Sequence, residues 1–409
     1  MALKLLKRAA IQSIALMLSV ITLSYAVSQY KHVIISASDK TLDDENSNEE
    51  DIIIPPEVGQ EEEALPSNDI MLRQLSESYL KIKKPLGKDL TISFEDLYMT
   101  RGIKITITGM YEDSMKSTMV GRIRSNEEFY GEPSFTDVPS IDTNVTDETD
   151  ETYHYSMIKN YGNDLAHGIT ITHSYESTTM LYTAELLIEM DHIYVTNLYE
   201  DEEYYYVDLR RPKDVYDKVI VVDAGHGGKD SGSISYNQQY YEKDINLSIL
   251  QYLKEYLDQE NIKVYYTRLS EEKVFLKPRV ALANELDCDF FISIHCNANS
   301  VSSPKGTEVL YYDNNFKGVL TKDLASICQE ELSNTILLED RGLIKMQGDE
   351  IYILAKSRVP AIIIEVAFMT NQNDMQFLLQ EGNRQLAAQG IYHGIMRAYE
   401  ELEIKDNEQ

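Results

Sequence analysis

The pattern of apolar and polar positions divides the chain into four stretches. A mostly apolar run from Ala9 to Val27 follows Lys4, Lys7 and Arg8. From about residue 36 to 69 apolar residues thin out, and Asp43 to Glu63 holds ten acidic residues with no Lys or Arg. Between about 70 and 212 apolar and polar residues alternate over short segments: Ile103 to Thr108, Gly168 to Thr172, Thr183 to Met190, Ile193 to Leu198 and Tyr204 to Leu209. A period of two predicts strands with one wet face, and several such strands predict a small β-rich domain, a sandwich among its possible forms. An acidic stretch, Asp142 to Glu151, interrupts it.

From Val215 the period changes. An uninterrupted apolar run predicts a buried strand at Val219 to Val222, and mostly apolar segments predict strands at Val264 to Thr267, Phe290 to Ile294, Glu308 to Tyr312 and Ala361 to Val366. Helical spacing lies between them. Asp244 is placed to cap a helix running to Leu257, with Ile245, Ile249, Leu250, Leu253 and Leu257 on one face. Pro278 suits the start of a helix ending near Leu286. Further helices are predicted from about Leu320 to Leu332 and from Leu378 to near Leu402. Strands alternating with helices predict an α/β fold, a mostly parallel sheet flanked by helices. The expected order is a hydrophobic segment (1–35), an acidic linker (36–69), a β-rich accessory domain (70–212) and the α/β domain (213–409).

Charge and composition narrow the functional classes. The formal net charge is −30 and the isoelectric point about 4.6. Nucleic acid is excluded as a partner, since no basic stripe is available to displace its counterions. The basic residues ahead of the first apolar run predict export, and Ser24-Tyr25-Ala26 offers small residues for cleavage. The run also approaches the roughly 20 residues that span a bilayer, so signal peptide and uncleaved membrane anchor both stand. The acidic linker is expected to be an extended spacer, because self-repulsion and scarce apolar residues prevent collapse. Cys288, Cys296 and Cys328 are too few and too scattered for a disulfide framework or thiolate cluster. Cys296 follows His295 within a strand and should face the other way, as a packed thiol.

The candidate chemistry lies in the last domain. Val219 to Val222 runs into Asp223-Ala-Gly-His-Gly-Gly-Lys-Asp-Ser-Gly232, which sets His226 between glycines at the carboxyl end of a buried strand. Crevices outside such strand ends are where open α/β sheets bind ligands. His295 ends the strand Phe290-Phe-Ile-Ser-Ile-His295 in the same way. Glu365 interrupts the apolar strand Ala361 to Val366, where a lone carboxylate is costly unless paired or at work. Glu242 opens the helix after the His226 loop, a position that favours a carboxylate for its own sake. Two histidines and one glutamate are the ligand set of an open zinc site. By contrast His154, His167, His173 and His192 have no carboxylate or cysteine at ligand spacing and are read as structural or solvated.

Residues from about Lys218 to Tyr399 resemble the zinc-dependent N-acetylmuramoyl-L-alanine amidases of the Amidase_3 family. The likeness rests on Asp223 to Gly232, Glu242-Lys-Asp-Ile-Asn-Leu247, Thr267-Arg268, Arg279 with Ala283-Asn284, Ser293-Ile-His-Cys-Asn297, Lys305-Gly-Thr-Glu-Val309 and Val359 to Asn371, in family order. Ala224 and Ala367 depart from the residues common in the family, at positions that are not ligands. The resemblance implies that 213–409 is a zinc amidase domain, that His226, Glu242 and His295 bind Zn²⁺, and that Glu365 is the catalytic carboxylate. It implies peptidoglycan as substrate, cleaved between MurNAc and L-alanine. An exported protein, secreted or held at the membrane by an uncleaved first segment, is expected to meet it at the cell wall. Arg268 and Arg279 are expected to fix loops rather than touch substrate. The regulatory helix that some members insert after the second histidine motif has no room here, because Gly306-Thr-Glu-Val309 follows so soon. Two other readings are a zinc peptidase acting on stem peptides, whose usual His/Glu spacings are absent, and a non-catalytic wall-binding adaptor, which would ordinarily have lost ligands.

Overall fold

The computed structural model describes residues 74–111, 120–124, 127–129, 152–157 and 165–404. The expected leader, the acidic linker and the Asp142–Glu151 stretch lie outside the described residues. Among the described residues no helix is long and apolar enough to cross a membrane.

The alternating segments form a β-sandwich. Its ten strands are Ser78–Lys83 (β1), Gly87–Leu97 (β2), Gly102–Met110 (β3), Val120–Arg124 (β4), Glu127–Phe129 (β5), Thr152–Met157 (β6), Ala166–Glu176 (β7), Leu181–Met190 (β8), Val195–Glu200 (β9) and Tyr204–Arg210 (β10). They make two antiparallel sheets, β5-β4-β1-β10-β9 and β2-β3-β8-β7-β6. Ile103, Ile105 and Ile107 of β3 and Ala184, Leu186 and Ile188 of β8 point inward at every second position. Leu80 and Ile82 of β1 and Val207 and Leu209 of β10 meet them from the other sheet in one core. The alternation did not predict β2. It is an edge strand whose Leu90, Ile92 and Phe94 alternate with exposed residues and pack only half-buried against the core.

A short helix, Pro212–Val215 (α1), leads into the second half. There follow Val219–Ala224 (β11), Glu242–Leu257 (α2), Lys263–Tyr266 (β12), Leu276–Leu286 (α3), Phe290–Asn297 (β13), Thr307–Tyr311 (β14), the hairpin of Asn315–Phe316 (β15) and Val319–Leu320 (β16), and Thr321–Ile336 (α4). Asp340–Lys345 (β17), Tyr352–Lys356 (α5), Ala361–Phe368 (β18), Gln372–Leu379 (α6) and Glu381–Glu401 (α7) complete it. The sheet order is β12-β11-β13-β18-β14-β17. Strands β12, β11, β13 and β18 run parallel, β14 runs antiparallel to β18, and β17 is parallel to β14. The sheet is therefore mixed, with its last two strands reversed.

Strand parity decides what each face carries. Ile220, Val222, Ile292, Ile294, Ile362 and Ile364 face one core, shared with helices α2, α4 and α7. Val219, Val221, Phe291, Ala361 and Ile363 face another, shared with α3 and α5. The sandwich contributes to this second core through Ile193, with Tyr98 and Met99 packed beside it. The Tyr98 hydroxyl donates to the Tyr266 carbonyl at 2.8 Å, and its ring meets Tyr265 edge-on at 5.0 Å. Glu285 on α3 accepts from His192 Nδ1 at 2.7 Å and pairs with Arg211 at 3.2 Å. The sandwich is thus docked on the edge strand β12 and on α3.

Several expected boundaries move. Helix α2 begins at Glu242 with Tyr241 in the capping position, so Asp244 is an exposed first-turn residue and not the cap. Helix α3 begins two residues before Pro278, which sits in its first turn. The last helical region is two helices, broken at Gln380, whose backbone is extended. The nine residues between β13 and β14 contain no helix. All three cysteines are free and buried, and Cys296 faces the apolar core as its parity requires.

Candidate metal centre

The site stands on the second face of the sheet, at the carboxyl ends of β11, β13 and β18. Parity puts Asp223, Ser293 and His295 on that face, above Val221, Phe291 and Ile363. Register then sets His295 beside Glu365 on β18 and Glu365 beside Glu308 on β14. A row of polar groups lies at the end of an otherwise apolar sheet.

A fully buried carboxylate supports the row from below. Asp223 accepts from Ser293 Oγ at 2.5 Å and from Thr267 Oγ1 and Arg279 Nη1. Burial alone would raise its pKa, but the Arg279 charge and the two hydroxyls hold it below the usual carboxylate range. Arg279 also donates to the Ala224 carbonyl at 2.7 Å and the His226 carbonyl at 2.5 Å. Arg268 donates to Ala224 and Gly225 carbonyls at 2.9 and 3.0 Å and to the Lys243 carbonyl at 2.8 Å. Both arginines are buried, and each gives part of its donors to the backbone that carries His226. Removing Asp223 would leave the Arg279 charge buried without its partner. Asp223→Ala is expected to destabilise the fold by about 3–5 kcal/mol, read by urea denaturation.

The loop that follows is shaped by close approach. His226 has φ 63°, an uncommon left-handed value for a side-chain-bearing residue, held by those arginine contacts. A Cβ at Gly225 would lie 2.2 Å from the His295 ring, so only glycine lets that imidazole sit where it does. Gly225→Ala is expected to push His295 aside and lower turnover about 100-fold with the fold intact, as kinetics beside circular dichroism would read.

Glu242 is the centre of the cluster and is 2% exposed. Its Oε1 lies 2.9 Å from His295 Nδ1 and accepts from the Cys296 amide at 3.1 Å. Its Oε2 accepts from the Ser233 amide at 2.7 Å and lies 3.3 Å from His226 Nε2. His226 Nδ1 is turned to Asp230 at 3.1 Å, and the two imidazole centroids are 4.9 Å apart, edge to face. One donor atom each from His226, Glu242 and His295 fall within 4.8 Å of one another. Among the described residues this is the one such His/Cys/Asp/Glu group.

The charge balance of this cluster favours a cation. Burial opposes ionisation of Glu242, yet the two histidines hold its pKa well below normal. Burial likewise opposes the His295 charge, but Glu242, Glu365 and Asp223 push its pKa up to about 9. Without a metal ion, protons on the imidazoles must supply the positive charge. His295 Nε2 and Glu365 Oε2 are nonetheless buried without a hydrogen-bond partner. Orphaned buried polar atoms converging on two imidazoles and a carboxylate fit a metal ion with an open position. A raised imidazole pKa stabilises the fold fully below the ordinary 6.5 and loses that contribution as pH rises through about 9. The melting temperature of chelator-treated protein is expected to fall across that window.

Glu365 is brought to the same place, one strand from His295, and burial pushes its carboxyl up to about 7. His295 pulls it down, while Glu242 and Glu308 add to the rise. All four residues singled out from the sequence therefore meet. Of the other histidines, His192 is committed to Glu285 and His173 is buried in the sandwich. The side chains of His154 and His167 lie outside the described ones. The sequence reading missed the roles of Glu308, Asn297 and Arg341. Glu308 Oε1 accepts from Asn297 Nδ2 at 2.7 Å and Oε2 from Arg341 Nε at 2.6 Å. Glu308 lies in the apolar strand Thr307-Glu-Val-Leu-Tyr311, so the test that singled out Glu365 would have found it.

Comparison with known proteins places this geometry in a family. The family model described as N-acetylmuramoyl-L-alanine amidase, Amidase_3, matches residues 220–397. An uncharacterised Bacillus subtilis protein, YqiI, is 34% identical over 45% of this chain and 86% of its own length. The amidase CwlM of Bacillus licheniformis is 31% identical over 44% of this chain and 68% of its own length. The amidase LytC of Bacillus subtilis is 34% identical over 47% of this chain, which spans only 37% of that protein. A crystal structure of a Clostridium difficile amidase, 32% identical, aligns over 45% of this chain and 97% of its own with a TM-score of 0.42. With the histidines, Glu242 and Glu365 gathered at one sheet end and relatives matched over most of their length, the chain belongs to the N-acetylmuramoyl-L-alanine amidase family.

Proposed function

We propose that the protein is an exported, zinc-dependent amidase that hydrolyses the bond between the lactyl group of MurNAc and L-alanine in peptidoglycan. The observation that carries this reading is the convergence of the His226, Glu242 and His295 donor atoms beside a partnerless carboxylate oxygen of Glu365. Relatives named as cell-wall amidases support the substrate, and family membership supports the reaction. Export rests on the basic and apolar pattern of residues 4–27.

His226, Glu242 and His295 would hold the ion. Zinc with an open fourth position supplies Lewis acidity and brings the pKa of water down toward about 7. The remaining work falls to the chain. Asp230 and Glu242 fix the His226 ring, and Glu242 with the Gly225 backbone fixes His295. Glu365 takes a proton from the attacking water and returns it to the departing α-amine, acting first as base and then as acid. The test is digestion of sacculi with and without chelator. New L-alanine amino termini and free lactyl groups, lost on chelation and restored by zinc, are expected. Release of D-alanine, or no release at all with zinc supplied, would refute the amidase assignment.

A further inference from the structure

Arg341 pairs with Glu308, the cross-strand neighbour of Glu365, and takes no part in the cluster of His226, Glu242 and His295. Strand β17 carries an extra residue opposite Glu308. Thr307 pairs with Asp340 and Val309 with Leu343, so Arg341 and Gly342 together face a single residue of β14. Gly342 takes φ 74° at this bulge. Bulges of this kind re-aim a side chain, and they concentrate beside active sites. Here the bulge turns Arg341 onto Glu308, the direct cross-strand neighbour of Glu365. The anchorage uses Nε alone, at 2.6 Å from Glu308 Oε2. The guanidinium carbon lies 5.0 Å over the Phe368 ring, which fixes the plane. Glu308 is almost fully covered, yet the Arg341 side chain is 33% exposed. Among the described residues neither Nη atom has a hydrogen-bond partner. A guanidinium with a fixed plane and both Nη groups free is a receptor for a carboxylate.

We infer that Arg341 binds a carboxylate of the stem peptide and so selects among muropeptides. This rests on the amidase reading. On the peptide side of the cleaved bond stand L-alanine and then a glutamyl residue, whose α-carboxylate is free in some walls and amidated in others. That carboxylate is the acidic group closest to the scissile amide. Arg341, one carboxylate away from Glu365, favours the free acid over the amide.

The test compares MurNAc-L-Ala-D-Glu with its α-amide. In a Glu365→Gln background, expected to bind with turnover strongly slowed, calorimetry should show the free acid bound about tenfold or more tightly than the amide. Adding Arg341→Gln should bring the two affinities close to parity, and Arg341→Lys should restore part of the preference. Equal affinities with Arg341 present, or an Arg341→Gln loss of the same size for both ligands, would overturn the assignment. Turnover by the unmutated enzyme separates the two readings. Hydrolysis of both muropeptides with equal kcat/KM removes only the role of Arg341, whereas hydrolysis of neither removes the amidase reading beneath it.

Discussion

Glu365→Gln is expected to cut turnover about 100- to 10,000-fold while leaving metal content and thermal stability close to those of the unmutated protein. The amide keeps the shape of the carboxyl group but cannot accept a proton. The stability half of the expectation follows from the surroundings. Among the described residues Glu365 makes no ion pair, and its Oε2 is buried without a partner, so the fold draws little from its charge. Neutralising it also relieves its repulsion with Glu308, the residue directly opposite. A rise in KM would mark a lost ground-state interaction, whereas an unchanged KM assigns the loss to the proton-transfer step. Unimpaired turnover in this variant would take the proton-handling role away from Glu365.

The second large effect concerns Glu242. Glu242→Ala is expected to abolish tight metal binding and with it activity, since it removes a ligand and the partner of both imidazoles at once. Side-chain contacts one step removed from a metal already cost 10- to 100-fold in affinity when lost, and a direct ligand costs more. The change also frees the amides of Ser233 and Cys296, each of which donates to this carboxylate. Some loosening of the loop from Gly227 to Tyr241 should therefore accompany the metal loss, visible as faster amide exchange there.

What could be read from the sequence follows from what burial leaves in a chain. The strands β11, β13 and β18 were legible because parallel strands covered on both faces are written as unbroken apolar runs. The same runs exposed His295 and Glu365 as exceptions. The strand β17 was not legible: Asp340-Arg-Gly-Leu-Ile-Lys345 is an edge strand with a bulge, and no buried run marks it. The reversal of β14 and β17 was hidden as well, because direction is set by connections and not by composition. Glu242 was legible as a ligand only beside the two histidines, since its helix start by itself reads as a capping position. Its side chain turns to His226, His295 and two backbone amides, and Tyr241 in the capping position makes no side-chain cap bond. Arg268 and Arg279 were legible as loop clamps in kind but not in detail. Nothing in their spacing reveals that both converge on the carbonyls of residues 224–226. The docking of the sandwich through Tyr98 and Glu285 depends on contacts more than 70 residues apart, which no local pattern carries.

The account turns on one ion being held by His226, Glu242 and His295, with Glu365 beside it but not needed to hold it. Zinc content by mass spectrometry, after dialysis against a weak chelator, tests this most directly when measured on the unmutated protein and on both glutamate variants. One equivalent in the unmutated protein and in Glu365→Gln, with none in Glu242→Ala, is the expected result. A full equivalent retained by Glu242→Ala would contradict it.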